Sequence, residues 1–335
     1  AFATDGILIG PILEEFKTNR QALMSELFEM CQKNLAEKGQ NVYLEYPEMR
    51  VTVQGGIGTH VEDELLKEHY QTHGTGWGSP FLLVPEATQV DPTTRKALAE
   101  AEENDFYMSH ASPLGIPFNN FRKSTSEKQR LERIAKGRPG SPCTLEYLAT
   151  NTEFTEKPIC TASRKYQHAK LKQLEEQGLA AAEYQKAFDA ITEKVCLCTG
   201  LGTSALQNFD IKPSHHQHAV AICPGPNLAY FSGTFSLKEM VDHIYGRANI
   251  LNNHNRPNLF VKELSLYVDY LKKEVEKSVE SMTTKQERYL KTFRDNLLAG
   301  VAFYQNLSLP SLQDMKDELA LWEAKIQTLP IPQVG

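Results

Sequence analysis

The sequence of 335 residues has no run of about 18 apolar residues, so it predicts no membrane-spanning helix. Its start lacks a charged segment followed by an apolar one, and we therefore expect a cytoplasmic protein with no secretory signal. Basic residues are not in surplus, because 36 Lys and Arg stand against 42 Asp and Glu. The resulting net charge of −6 argues against a generic nucleic-acid binder.

Cysteine is also sparse. Six cysteines in a chain of this length are too few for a disulfide scaffold, which favours reduced thiols or metal ligands. The remaining composition is that of a globular protein, with 41% hydrophobic and 23% charged residues. The length suits two domains, or one large α/β domain with an extension.

Short apolar runs alternate with helical patterns in the first third of the chain. The runs at 6–10, 49–54 and 76–84 predict buried strands. Each is joined to the next by a connection of helical length, so we expect adjacent parallel strands. The predicted helices here cover the segment from Pro11 to Gly39, 61–70, and 91–103 with Asp91 as N-cap.

The rest of the sequence predicts irregular segments followed by helices. The stretches 105–160 and 199–235 contain too much Pro and Gly for regular elements. Helical spacing predicts a pair of helices broken at Gly178 and then a helical tail. These helices are expected at 163–177, 181–194, 236–246, 258–276, 284–305 and 310–327.

Two glycine-rich segments occupy positions where a phosphate could bind. Gln54-Gly55-Gly56-Ile57-Gly58-Thr59 lies between a predicted strand and a predicted helix, where backbone N–H groups and the helix dipole favour an anion. Gly74-Thr75-Gly76-Trp77-Gly78-Ser79-Pro80 follows one βα unit later, and neighbouring βα loops can share one phosphate. The alternative for each segment is an ordinary tight turn.

Four cysteines are placed so that chain geometry could bring them together. If the helices 163–177 and 181–194 form an antiparallel hairpin, their similar lengths bring Cys160 close to Cys196 and Cys198. Gly200 and Gly202 would then allow a turn that aims both thiols inward, and Cys143 could supply a fourth ligand. Four thiolates suit Zn²⁺ or an iron–sulfur cluster, whereas the alternative is that these cysteines are small buried apolar residues.

The order of several segments resembles the last part of the nitronate monooxygenase (2-nitropropane dioxygenase) flavoproteins, in particular those with a cysteine-bearing extension. The resemblance covers roughly residues 48–205. The segments that carry it are QGGIGT, GWGSPFLLVPEAT, SPLGIPFNN, Cys143 to Leu148, Cys160, and Cys196 to Leu201.

The resemblance implies a flavin-binding (β/α)8 (TIM) barrel that holds the phosphate of FMN on the loops after its last two strands. The resemblance implies that this phosphate is bound by Gly55, Gly56, Gly78 and Ser79. A full barrel needs about 200 residues or more, and only three strand candidates precede residue 90. We therefore expect the C-terminal part of a longer protein, or a rebuilt fold. The segment in which the family keeps its active-site histidine is not in this sequence, so no catalytic residue is carried over.

These patterns together predict an α/β fold in three consecutive regions. Residues 1–110 would be the last βα units of the barrel, 111–235 an irregular four-cysteine module, and 236–335 a helical C-terminal region. The function expected is part of an FMN-dependent oxidoreductase that acts on a small-molecule substrate and carries a structural metal site of four cysteines. The missing part of the barrel or a partner subunit would complete it. One alternative is a non-catalytic, metal-stapled subunit or interaction module, and another is a phosphate-ligand enzyme unrelated to flavin.

Overall fold

The computed structural model describes residues 5–46, 48, 50–212, 218–252, 255–278, 282–307 and 315–331. Two compact units divide the chain. The first comprises Ala1–Trp77 with Asn255–Gly335, and the second is Gly78–His254. This division differs from three consecutive regions, because the helices after residue 255 belong with the first 77 residues.

Helices dominate the secondary structure, and the strands are short. The α-helices of the described residues are α1 (Ile9–Thr18), α2 (Arg20–Glu37), α3 (His60–Glu68), α4 (Pro92–Ala99), α5 (Thr125–Ala135), α6 (Arg164–Glu175), α7 (Ala181–Thr192), α8 (Leu197–Asn208), α9 (Leu237–Ile244), α10 (Leu259–Ser278), α11 (Thr284–Asn306) and α12 (Lys316–Gln327). The strands are β1 (Thr52–Gln54), β2 (Gly74–Gly76), β3 (Phe106–Ser109) and β4 (Phe118–Phe121).

The first unit contains a β1–α3–β2 segment with parallel strands. Val53 pairs with Thr75 at the centre of the register. α3 begins with a capping box, in which Thr59 and Glu62 satisfy each other's backbone N–H groups. Its Leu65 and Leu66 are buried in the core of this unit. The predicted helix 61–70 and the parallel direction of these two strands are therefore confirmed.

The core of the first unit is formed mainly by α1 and the helices of the C-terminal tail. Phe260, Phe293 and Tyr304 are among its largest buried side chains. The predicted helices 258–276 and 284–305 are confirmed as α10 and α11. Of the predicted helix 310–327, residues 310–314 lie outside the described residues, and the remainder forms α12.

Two of the three predicted strands need correction. The strand at 6–10 is wrong, because α1 already begins at Ile9. The strand expected at 76–84 is largely wrong, since β2 ends at Gly76 and Ser79–Leu83 forms a 3₁₀-helix. Of the predicted strand 49–54, residues 52–54 form β1, and Met49 lies outside the described residues. Apolar runs of this length do not distinguish a buried strand from a buried helical turn.

The second unit confirms the predicted helix pair and adds elements that were expected to be irregular. α6 and α7 pack against each other across a turn at Gly178, whose φ is 61°. α4 begins after Asp91, which caps it as predicted. The antiparallel pair β3–β4 and the helices α5 and α8 lie in the stretches predicted to be irregular. Gly200 and Gly202 are inside α8, so the turn expected there is wrong.

The mixed α/β class is confirmed by these elements. Within the part of the chain that the structure describes, no helix combines the length and the apolar character that crossing a membrane requires.

Candidate metal centre

Two backbone contacts bring the segment before Cys143 beside the segment after Cys160. Ser141 and Ser163 form an isolated parallel bridge. The Ser141 N–H donates to the Ala162 carbonyl at 2.9 Å, and the Arg164 N–H donates to the Ser141 carbonyl at 2.9 Å. These bonds hold the segment before Cys143 and the segment after Cys160 side by side.

The helix pair supplies the third segment. The Gln167 side chain, fully buried near the start of α6, donates to the Lys194 carbonyl at 3.1 Å, just beyond the end of α7. The open ends of the pair therefore meet, as the predicted hairpin requires. Cys196 is the N-cap of α8, and Cys198 lies in its first turn.

The cysteines predicted as ligands lie within reach of one another's charge. Burial raises the pKa of the Cys160 thiol to about 12, and negative charge on Cys143, Cys196 or Cys198 would raise this pKa further. Burial also raises the pKa values of Cys143 and Cys198. No other cysteine contributes to the raised pKa of Cys223. The contacts between the segments thus place the four predicted cysteines in one region of the second unit, and their binding of one metal stays a prediction.

Backbone N–H groups point at three of the four sulfurs. Cys143 accepts from Glu146, and Cys160 accepts from Ala162. Cys198 accepts from the N–H groups of Tyr147 and Leu148, in the turn that follows Cys143. These donors favour the thiolate form, and hydrogen bonds of this kind tune metal-bound sulfurs.

None of the six cysteines forms a disulfide. In the conformation seen, no three His, Cys, Asp or Glu side chains of the described residues form a group that could hold a metal ion. Metal binding by the four thiols would therefore require their side chains to turn onto a common centre. A change of cysteine rotamer moves the sulfur and leaves the backbone in place.

The predicted phosphate-binding residues fall in both compact units. In the first unit, Gly55 and Gly56 are exposed, with φ values of 98° and 76°, and a Cβ built on either meets no atom within 4 Å. The rest of this turn is anchored by Glu62, which accepts from the Gly58 N–H at 2.8 Å and pairs with Arg256 at 2.7 Å. Arg256 also donates to the Gly56 carbonyl at 2.8 Å, so the open space at Gly55 and Gly56 is the space where a Cβ would stand.

The other two predicted residues lie in the second unit. A Cβ built on Gly78 meets no atom within 4 Å. Ser79 begins the 3₁₀-helix, and its hydroxyl accepts from the Gly225 N–H at 2.7 Å. Whether Gly78 and Ser79 share an anion with Gly55 and Gly56 stays a prediction.

Two arginines near the cysteines were missed because α5 lies in a stretch predicted to be irregular. Arg130 and Arg133 lie on this helix, whose N-cap Ser124 accepts from the Glu127 N–H at 3.1 Å. A Ser followed three residues later by Glu is a sequence signal for a helix start. That signal could have placed both arginines on one helix.

No family model, curated protein or solved structure matches this chain. The resemblance to nitronate monooxygenases therefore stays a prediction.

Proposed function

We propose that Cys143, Cys160, Cys196 and Cys198 bind one metal centre, a zinc ion or an iron–sulfur cluster. The observation that carries the proposal is that the Ser141–Ser163 bridge and the bond of Gln167 to the Lys194 carbonyl bring the three cysteine-bearing segments together. Both kinds of centre accept four thiolates, and no other side chain is required.

The protonation of the thiols fits this role. Cys160 is 4% exposed, and a lone thiolate there would be costly. A bound cation lowers that cost, because it replaces the thiol protons and offsets part of the negative charge. The N–H groups of Glu146, Ala162 and Leu148 already point at sulfurs, which suits the outer shell of a metal site.

The centre would act structurally. It would join the segment at Cys143, the segment at Cys160 and the start of α8. Near the first two of these, isolated bridges at Ser141 and Asn151 replace a full strand ladder. Metal binding contributes directly to folding in such regions. We therefore propose that the second unit is a module whose segments are held together by the metal centre.

The test is the metal content of purified chain in which one cysteine is replaced. We expect the wild-type chain to contain zinc or iron, and Cys196→Ser to lose most of it, because three thiolates hold a structural centre poorly. Cys223→Ser is the matched control, since Cys223 does not belong to the four, and it should keep its metal. Wild-type chain without zinc or iron, or equal metal in both variants, would contradict the proposal.

We propose, second, that the chain is the C-terminal part of an FMN-dependent oxidoreductase similar to nitronate monooxygenases, with β1 and β2 among the last strands of its (β/α)8 barrel. The parallel β1–α3–β2 segment and the open Gly55–Gly56 turn support this proposal. Backbone N–H groups at such a turn can approach a phosphate closely. Bound FMN would accept electrons from a small-molecule substrate.

Flavin retention tests this second proposal. Gly56→Leu places a side chain where the phosphate would lie, so we expect the variant to lose FMN after incubation and gel filtration. Gly39→Leu is the matched control, because Gly39 also has a positive φ and open space around it but lies at the end of α2. Wild-type chain that retains no FMN, or equal retention by both variants, would count against the flavin proposal.

A further inference from the structure

A cleft in the second unit is lined by three cationic residues, Arg130, Arg133 and Lys194. No Asp or Glu is among the residues that line it. This composition is unexpected because acidic residues outnumber basic ones in the whole chain, 42 to 36. The charged side chains that line the cleft are therefore all cationic, although Glu127 pairs with Arg130.

Two of the three cations already have partners. Arg130 forms an ion pair with Glu127 through two hydrogen bonds, of 3.0 and 2.5 Å. Lys194 donates to the carbonyls of His110 and Ser112, at 2.5 and 3.2 Å. The two carbonyls leave the charge of Lys194 in place but occupy two of its three N–H donors, whereas Arg133 has five donors. Arg133 is thus the cation with the most N–H groups to offer an anion.

Arg133 has no carboxylate partner among the described residues. Its guanidinium donates to the Ser141 hydroxyl at 2.6 Å. Burial lowers the pKa of Arg133, the neighbouring charge of Arg164 lowers it further, and only Cys196 opposes them. A half-buried guanidinium beside a second one is stabilised by an anion between or near them.

The remaining polar groups of the cleft suit an oxyanion. Ser126, Ser141 and Thr199 are among its lining residues, and the Ser141 hydroxyl accepts from Arg133 at 2.6 Å. The start of α8 also faces this region, and it has neither a side-chain cap nor an acidic residue in its first turn. Hydroxyl and guanidinium donors together bind the oxygens of a tetrahedral anion.

The cleft is small, with a volume of about 20 Å³, so an anion larger than water would bind at its mouth. We propose that a small tetrahedral oxyanion, a phosphate group, binds there, with Arg133 as its main contact and the hydroxyls of Ser141 and Thr199 beside it. The phosphate group can belong to inorganic phosphate or to a small phosphate monoester. This proposal does not depend on metal at the four cysteines. Cys196 lines the same cleft, so a bound anion would lie next to that thiol.

The experiment is calorimetric titration of the full chain with inorganic phosphate and, separately, with glycerol phosphate. We expect Arg133→Gln to weaken phosphate binding at least about tenfold, because a charge-assisted contact is lost. Arg138→Gln is the matched control, since Arg138 is exposed and outside the cleft, and it should bind as the wild type does. Tighter binding of the ester would identify the phosphate of a larger molecule as the ligand.

A second measurement needs no variant. Phosphate should raise the midpoint of thermal unfolding of the wild-type chain more than chloride of equal ionic strength does, because an anion that binds the folded chain stabilises it. Metal content is measured on the same samples, so that loss of metal is distinguished from loss of anion binding. Absence of phosphate binding by the wild type, or equal binding by both arginine variants, would overturn the proposal.

Discussion

Glu263 shows how one partly buried carboxylate can replace a missing helix cap. Leu8, the N-cap of α1, provides no side-chain hydrogen bond. Instead, both carboxylate oxygens of Glu263, on α10, lie 3.0 Å from the Ile9 N–H. Burial raises the pKa of Glu263 to about 7, although the Ile9 N–H and the Tyr304 hydroxyl favour its charged form. The carboxyl group therefore titrates near neutral pH in the folded state.

This raised pKa makes the stability of the first unit depend on pH. Between about pH 4.5 and pH 7 the folded state holds a proton on Glu263 that the unfolded state has lost, so the free energy of unfolding should fall as the pH rises. Glu263→Gln keeps an acceptor oxygen and cannot titrate. The difference in unfolding free energy between wild type and this variant should change by up to about 3 kcal/mol across this window.

Urea unfolding at several pH values measures that difference. Glu26→Gln is the control, because the Glu26 side chain is exposed on α2. The difference in unfolding free energy between Glu26→Gln and wild type should stay constant with pH. A constant difference for Glu263→Gln as well would show that Glu263 does not retain its proton in the folded state.

The approach of the cysteine-bearing segments depends on contacts between elements. Gly140 stands where the chain leaving α5 meets the start of α6. Its φ is 84°, and a Cβ built there would lie 2.7 Å from the backbone N and Cα of Arg164. A backbone atom cannot give way as a flexible side chain can. The bridge between Ser141 and Ser163 therefore requires glycine at this position.

Gly140→Ala should consequently separate these two segments. We expect it to lower the free energy of unfolding by about 2 kcal/mol more than Gly137→Ala does, since overpacking is added to the cost of the positive φ. Gly137 is the matched control, with a φ of 65° and no atom within 4 Å of an added Cβ. Denaturant unfolding gives the comparison, and metal content should fall in Gly140→Ala alone. Equal effects of the two substitutions would show that the close approach is unimportant.

Both compact units have an apolar interior. The first is built around a core in which α10, α11 and α12 surround residues from α1 and the β1–α3–β2 segment. The second also buries large apolar side chains, among them those of Phe121, Leu228 and Phe231. Near the cysteines, however, a small apolar cluster of Ala111, Phe118, Val195, Leu197 and Ala221 lies beside polar contacts such as that of Gln167 with the Lys194 carbonyl. A metal centre would add most to stability in that part of the unit.

Local signals in the sequence were sufficient for the features that depend on neighbouring residues. Asp91 and Pro92 predicted the start of α4, and the spacing of apolar residues predicted α3, α6, α7, α10 and α11. The similar lengths of α6 and α7 also predicted that Cys160 would lie near Cys196. Capping, helical periodicity and the reach of a short hairpin are all decided within a few turns of chain.

Features that depend on distant partners could not be predicted in this way. Of the residues 6–10, Ile9 and Gly10 begin a helix whose first N–H group is capped by Glu263, more than 250 residues away. Gly200 lies inside a helix, where the lack of a side chain lets Ala221 pack closely against it. A Cβ added to Gly200 would lie 2.8 Å from the Cβ of Ala221. β3 and β4 are four-residue strands that hold each other in place across a Pro-rich loop. In each of these cases the element is stabilised by a contact between separate segments of the chain. The pattern of neighbouring residues in the sequence does not show such a contact.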